Sequence, residues 1–295
     1  MNIISIDRVS KRFKDVQALR EISLDVNKGE VHGFIGPNGA GKTTTIRTLL
    51  GIICADSGSA TIFGKDVWDD AVDIHKDIAY VPGDVKLWPN LTGGEVIDLL
   101  IGLRGKNNHS QKQALIERFQ IDTTKKCRAY SKGNRQKVAL VAALAADAEL
   151  YILDEPTSGL DPLMEQMFAE YIFRLKAEGK TVFLSSHILS EVEKLCDVMS
   201  IIREGEIIES GRIEDLHHLT RTNVRIESNE EISGLSRQKG VHEYVYEDGV
   251  HTFELDTKNM DDLIKYISNF QVSAFESAPP KLEDHFMRHY RSEEA

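Results

Sequence analysis

An α/β core followed by a small α+β domain is what the 295-residue sequence predicts, and three patterns predict it. "VHGFIG", a glycine-rich turn and "KTTTIRTLLGI" read in order as strand, loop and helix, the last by its apolar spacing at Ile46, Leu49 and Leu50. "LYILDEP" and "TVFLSSH" are apolar runs bounded by turn residues, the texture of parallel strands buried on both faces. Beyond Leu216 come shorter segments whose order, βαββαβ, is ferredoxin-like.

Taken in order, "IISID" and "ISLDV" are strands, and Asn27-Lys28-Gly29-Glu30 turns the chain into "VHGFIG". "IAYV" opens as a buried strand and breaks at Pro82-Gly83-Asp84, a turn by composition. From about Thr92 to Asp147 the pattern is helical, ending in "RQKVALVAALAADA", whose Val138, Val141 and Leu144 or Ala145 share one face. "VMSIIREGEIIESG" is a hairpin about Glu204-Gly205. The expected domains are 1–218 and 219–295. In the second, "TNVRIES" reads as strand, "EEISGLSRQKG" as a short helix and "VHEYVYEDGVHTFEL" as a hairpin about Asp248-Gly249. "MDDLIKYISNF" reads as helix, "VSAFES" as strand and, beyond Pro279-Pro280, "KLEDHFMRHY" as a last helix.

Composition excludes several classes. Lys plus Arg total 36 against 47 Asp plus Glu, a formal charge of -11, which argues against a nucleic-acid partner or broad attraction to an anionic bilayer. Cys54, Cys127 and Cys196 suggest neither a disulfide framework nor a paired zinc motif, so a reducing compartment is expected. No run of about 18 apolar residues occurs, so the chain is not expected to span a membrane itself. His285 and His289 stand four apart on the last helix but lack a third ligand in pattern, so no metal site is expected there. Asp66, Asp69, Asp70 and Asp73 lack EF-hand spacing and read as a solvated surface.

"GPNGAGKTT" fits G-x-x-x-x-G-K-[ST], a phosphate-binding loop. Gly36, Asn38, Gly39, Ala40 and Gly41 can aim successive backbone N–H groups at phosphate oxygens, with the positive end of the following helix behind them. Lys42 is expected at the β- and γ-phosphates, Thr43 on Mg²⁺ and Thr44 at the α-phosphate. Asp154 and Glu155 put two carboxylates at a strand tip, one suited to the Mg²⁺ shell and the other to polarising water as a general base.

Between and after these motifs lie "YSKGNRQKVAL", "SGLDP" and "LSSH". The ordered series resembles the ATP-binding cassette (ABC) ATPases over roughly residues 3 to 215. The resemblance implies a P-loop NTPase cassette with a mixed sheet core, an antiparallel β lobe and a helical lobe, binding ATP and Mg²⁺. It implies that two cassettes, identical or homologous, meet head to tail, with Ser131 and Gly133 closing on the γ-phosphate held by the other. Lys132 and Asn134 depart from the family's signature at its first glycine and its glutamine. His187 matches the switch histidine beside the γ-phosphate, Asp161 the loop communicating between opposed sites, and Phe13 the aromatic that stacks on adenine.

The position where the family places a glutamine touching Mg²⁺ or the attacking water is Gly83 here, so that contact is expected to fall to a backbone carbonyl, a water or Asp84, of which Asp84 is favoured. Leu87, Trp88 and Leu91 match the surface that receives a membrane partner's coupling helix. "PPKLEDHFMRHY" is similar to the tail of ATP-binding subunits serving ABC-2 type exporters of antibiotics, drugs or polymers. The expectation is an ATPase on the cytoplasmic face of a membrane, attached through a separate ABC-2 permease, whose C-terminal domain holds the dimer together, regulates it or merely stabilises the chain. The rival is a soluble ABC ATPase of translation or DNA repair, against which stand the single P-loop and the lack of sustained heptads.

Overall fold

The computed structural model describes residues 2–103, 109–218, 222–256 and 259–278. They form two compact units, residues 1–211 and the chain from Arg212 onward.

In the first unit, β1 (Asn2–Phe13) and β2 (Val16–Asn27) pair antiparallel, and β3 (Val31–Ile35) delivers the glycine loop to α1 (Lys42–Leu49). With β4 (Ser57–Ile62) and β5 (Lys65–Asp66) the first two strands complete an antiparallel sheet of order β2-β1-β4-β5. One short helix, α2 (Ala71–Ile74), precedes β6 (Ile78–Val81). A helical stretch follows as α3 (Gly93–Gly102), α4 (His109–Arg118) and α5 (Lys132–Leu144). The chain then alternates through β7 (Leu150–Asp154), α6 (Pro162–Ala177), β8 (Thr181–Ser186), α7 (Leu189–Leu195), β9 (Val198–Arg203) and β10 (Glu206–Arg212).

The six-stranded sheet has the order β10-β9-β3-β8-β7-β6, and the four pairings from β9 to β6 are parallel. Every residue of β3, β7 and β8 is buried, because helices or the second sheet cover both faces. Along β7 the side chains alternate: Tyr151 and Leu153 join the core built with α5 and α6, while Leu150 and Ile152 join the core shared with α1 and the antiparallel sheet. Register places the site. Ile35 lies opposite Ser186, Ser185 opposite Asp154, and Leu153 opposite Val81, so the strands end together. The loops that begin at Gly36, Pro82, Glu155 and His187 therefore leave one edge of the sheet side by side, the carboxyl edge where open α/β sheets bind ligands.

Helix starts follow local chemistry. Thr92 Oγ accepts from the Glu95 N–H and the Glu95 carboxylate accepts from the Thr92 N–H, a capping box that starts α3. Ser131 caps α5, and Asp161 caps α6 with Pro162 at its first position.

The second unit contains α8 (Ile213–His218), β11 (Thr222–Ser228), β12 (Val241–Glu247), β13 (Val250–Leu255), α9 (Met260–Ile267) and β14 (Val272–Ala278). Its sheet is antiparallel in the order β12-β13-β11-β14, with α9 supplying Leu263 and Ile267 to its core. The short helix expected over "EEISGLSRQKG" is a single 3-10 turn, Leu235–Arg237. Gly234 in the left-handed conformation (φ 80°) breaks the segment, and only Ile232 and Leu235 are buried from it, too few to hold an α-helix against the sheet. The expected last helix, with His285 and His289, lies outside the described residues.

Candidate active site

The glycine loop runs from Gly36 at the end of β3 to Gly41 at the start of α1. Gly41 has φ 113°, and a Cβ there would stand 2.8 Å from the Ala18 carbonyl oxygen, so any larger residue would push the loop off the β2 strand. Ala40 is buried. Lys42 is 5% exposed and its ammonium donates to the Gly36 and Pro37 carbonyls at 2.5 and 3.1 Å, curling the loop around it. The cleft outside is lined by Asn38, Gly39, Gly41 to Thr44, Glu155, Glu204 and the β1–β2 turn from Asp15 to Ala18. Phe13, at the end of β1, is 44% exposed with the Lys11 ammonium over its ring at 5.6 Å, so it is a surface aromatic and not core.

Asp154 is buried at the tip of β7 and accepts from Thr43 Oγ1 at 2.9 Å and from Ser185 Oγ at 2.5 Å. Glu155 comes next, with its backbone in the left-handed region (φ 45°) and its N–H donating to the Ser185 carbonyl and hydroxyl, both at 3.1 Å. That twist turns its carboxylate into the cleft. One oxygen meets Lys42 Nζ at 3.4 Å and the other meets His187 Nδ1 at 3.2 Å. Lys42, Glu155 and His187, drawn from three separate strand ends, thus touch directly.

Ser131 Oγ accepts from the Asn134 N–H at 3.3 Å. Gly133 packs so closely on the loop after β7 that a Cβ would stand 2.5 Å from the Gly159 carbonyl oxygen. Lys132, in the place of a glycine, donates to Ser158 Oγ at 3.0 Å. None of Ser131, Gly133 and Asp161 lines the Lys42 cleft. Gly83 does face the site: a Cβ there would make ordinary contact with the Asp154 carboxylate at 3.4 Å. Asp84 does not join it. Its side chain is 79% exposed and paired with Lys86 at 3.3 Å. Leu87 and Leu91 are partly buried against the core, which leaves Trp88, 50% exposed, as the protruding apolar group of that stretch.

A family model described as ABC transporter matches residues 19–158, and one described as the C-terminal domain of DrrA1-3-like ATP-binding proteins matches residues 211–290. The bacitracin transport ATP-binding protein BcrA of Bacillus licheniformis is 31% identical over 97% of this chain and 96% of its own length. The chain belongs to the ABC transporter ATP-binding proteins. An ABC transporter ATP-binding protein of a Nostoc species is 43% identical over 68% of this chain, and the match spans 62% of that relative. A solved ATP-binding subunit of an ABC transporter superposes with a TM-score of 0.68 at 30% identity, over 74% of this chain and 92% of its own. This ABC protein is accordingly an ATPase that binds ATP and spends it on transport. The soluble translation or repair reading is set aside, since a relative matching almost the whole chain carries a transport name.

Three residues of the ABC site escaped sequence reasoning. Ser185 holds both Asp154 and the Glu155 N–H, and its only signal is a hydroxyl doublet closing an apolar strand. Gln136, 1% exposed, donates to the Pro156 carbonyl at 2.9 Å and ties α5 to the loop after Glu155; an amide on the apolar side of a helix was the available sign. Tyr80 is pushed up to about 12 by burial, with the negative charge of Asp154 adding to the effect, so its phenol stays neutral.

Proposed function

We propose that this chain is the ATP-hydrolysing subunit of an ABC-2 type exporter, working as a head-to-tail pair of cassettes beneath a separate membrane permease. The observation that carries the catalytic part is the contact of Glu155 with both Lys42 and His187 at the sheet edge. Lys42 and the N–H groups of the glycine loop bind the β- and γ-phosphates, Thr44 the α-phosphate, and Phe13 stacks on adenine. Glu155 takes a proton from the attacking water as its oxygen closes on the γ-phosphorus, and the bond to ADP breaks. His187 holds that water and the γ-phosphate in line.

The donors fit Mg²⁺: Thr43 hydroxyl and Asp154 carboxylate are hard oxygen ligands already 2.9 Å apart, and phosphates and water can complete the shell. When bound, Mg²⁺ neutralises charge on the phosphate oxygens. Among the described residues no cluster of three or more His, Cys, Asp or Glu side chains is placed to hold a metal by itself, which suits an ion brought in with its nucleotide.

The head-to-tail pair is supported by a geometric point: neither Ser131 nor Gly133 lines the Lys42 cleft, which leaves that segment to serve a phosphate held on another cassette. Asp161, capping α6 beside Lys137, is assigned to communication across that interface. Trp88 and its neighbours Leu87 and Leu91 receive the permease. The ABC-2 assignment is supported by the DrrA-like match over residues 211–290, and the bacitracin relative favours export. No helix among the described residues is long and apolar enough to cross a membrane; the proposed place of the subunit is the cytoplasmic face, where its permease holds it. The domain from about residue 219 onward serves the dimer or its regulation.

The test is ATP turnover of the chain with Glu155→Gln. Binding is retained while turnover drops by about 10²-fold, the usual scale for a lost general base; wild-type turnover in this variant removes the assignment.

A further inference from the structure

Glu191, in the first turn of α7, is assigned no part in the proposed reaction, yet it is tied to both sides of the catalytic pair. Its Oε2 lies 2.6 Å from Ser186 Oγ. The same hydroxyl accepts from the Ile188 N–H at 3.0 Å, so Ser186 and Ile188, the residues on either side of His187, are locked to one another and to Glu191. Thr157, two residues beyond Glu155, lines the same cleft as Glu191. Glu191 Oε1 is buried with no hydrogen-bond partner among the described residues. A carboxyl group placed this way lies between the turn that carries His187 and the loop that follows Glu155.

We propose that Glu191 is a positioning residue for His187, holding the imidazole at the 3.2 Å contact with Glu155. The inference rests on the proposed roles of Glu155 and His187. His187 is itself nearly half exposed and Glu155 is its only ion-pair contact among the described residues, so packing alone does not orient the ring. Backbone on both sides of it must do so, and that backbone is fixed by the Ser186 hydroxyl. The side-chain hydroxyl is fixed in turn by Glu191. Burial holds the Glu191 carboxyl above the usual carboxylate range; Ser186, Thr157 and His187 oppose that rise and the nearby Glu165 adds to it. Glutamine keeps the shape of the side chain and an oxygen that can accept from the Ser186 hydroxyl, which makes it the conservative substitute.

The experiment compares kcat, KM for ATP and thermal midpoint for Glu191→Ala, Glu191→Gln and Ser186→Ala, each alone and combined with His187→Ala. Glu191→Ala is expected to lower kcat by about tenfold to a hundredfold, the range for a catalytic group held loosely, with KM changed less than about twofold. Glu191→Gln restores most of kcat, and Ser186→Ala repeats the loss. In the His187→Ala background the Glu191→Ala loss disappears, because a residue that acts through His187 has nothing left to position. An unchanged kcat in Glu191→Ala, or a loss of equal factor with and without His187, overturns the inference. If Glu191→Ala does not fold, Ser186→Ala carries the same comparison. Wild-type turnover in His187→Ala and Glu155→Gln would instead remove the underlying assignment of the site, an outcome distinct from failure at Glu191.

Discussion

Glu155 occupies a backbone conformation that a β-substituted residue adopts at a cost of about 1–3 kcal/mol, and it is held there by two hydrogen bonds from its N–H to Ser185. The strained turn sends Asp154 and Glu155, adjacent in sequence, to different partners: Asp154 to Thr43 and Glu155 to Lys42 and His187. The neighbouring strand end is less crowded. Gly83 leaves room beside Asp154, with ordinary contact distances for an added Cβ, so Gly83→Gln is expected to fold with an unchanged melting temperature. A glutamine there reaches the metal side of the site, and the Mg²⁺ concentration for half-maximal turnover falls. Asp84→Ala, by contrast, removes an exposed carboxylate paired with Lys86, and turnover and its Mg²⁺ dependence stay within about twofold of wild type. A large loss in that variant would return Asp84 to the site.

Helix α5 shows how one element serves stability and chemistry together. Its C-terminal half is buried, its N-terminus is capped by Ser131, and Gly133 lets the first turn lie against the Gly159 carbonyl. Gly133→Ala forces a Cβ into backbone that has no flexible end to yield, so α5 must withdraw from the loop after Glu155. ATPase activity is expected to drop at least about tenfold while ATP binding to Lys42 and the glycine loop survives; retained activity would show that the two segments need not stay in register. In the second unit, His251 on β13 links three strands. Its Nε2 meets Ser228 Oγ of β11 at 2.9 Å and its Nδ1 meets Tyr244 OH of β12 at 2.8 Å, with the Tyr246 ring stacked at 4.5 Å. Ser228 gives its own proton to the Glu230 carbonyl, so it accepts from Nε2–H, and Tyr244 donates to Nδ1. That pattern needs a neutral ring, and burial, partly opposed by Glu231, lowers the pKa. A histidine with a lowered folded-state value contributes its stability above the unfolded value of about 6.5 and loses it as pH falls through that value toward the folded one. The acid-induced drop in melting temperature between pH 7.5 and pH 5 should therefore be smaller in His251→Gln than in wild type. An equal drop in both would mean that the ring is not the titrating group.

Across the whole molecule, the Lys42 cleft and the Ser131 segment belong to one chain but not to one pocket. A mixture of Lys42→Ala and Ser131→Arg chains accordingly forms at most one intact composite site per pair, and ATPase activity reappears on mixing two inactive proteins. Activity in neither the separate nor the mixed proteins, with pairing shown by sedimentation, would refute the composite site. The proposed contact with a permease is at the exposed Trp88, and co-purification of a membrane protein that is lost in Trp88→Ala checks it.

Much of this protein was legible in order along the chain. The glycine loop, Asp154-Glu155, "YSKGN", "SGLDP" and His187 carry their chemistry locally, and the alternation of apolar runs with helical periods was enough for the α/β core and for most of the second unit. The helix expected near Leu235 failed because its fate depended on how many side chains the sheet could bury, not on its own composition. The direction of Asp84 was not legible for a related reason: adjacency to a site in sequence says nothing of direction, and here its side chain is exposed beside Lys86. Ser185 and Gln136 were silent because a single hydroxyl or amide has no pattern until its partner, about 20 or 30 residues away, is brought beside it. Residue types and spacing by themselves determined which candidate groups this ATPase offers for phosphate, metal and water. Only the parallel register of β6, β7, β8 and β3 decided that they meet, because strand ends aligned by backbone hydrogen bonds are what place Lys42, Glu155 and His187 within contact of one another.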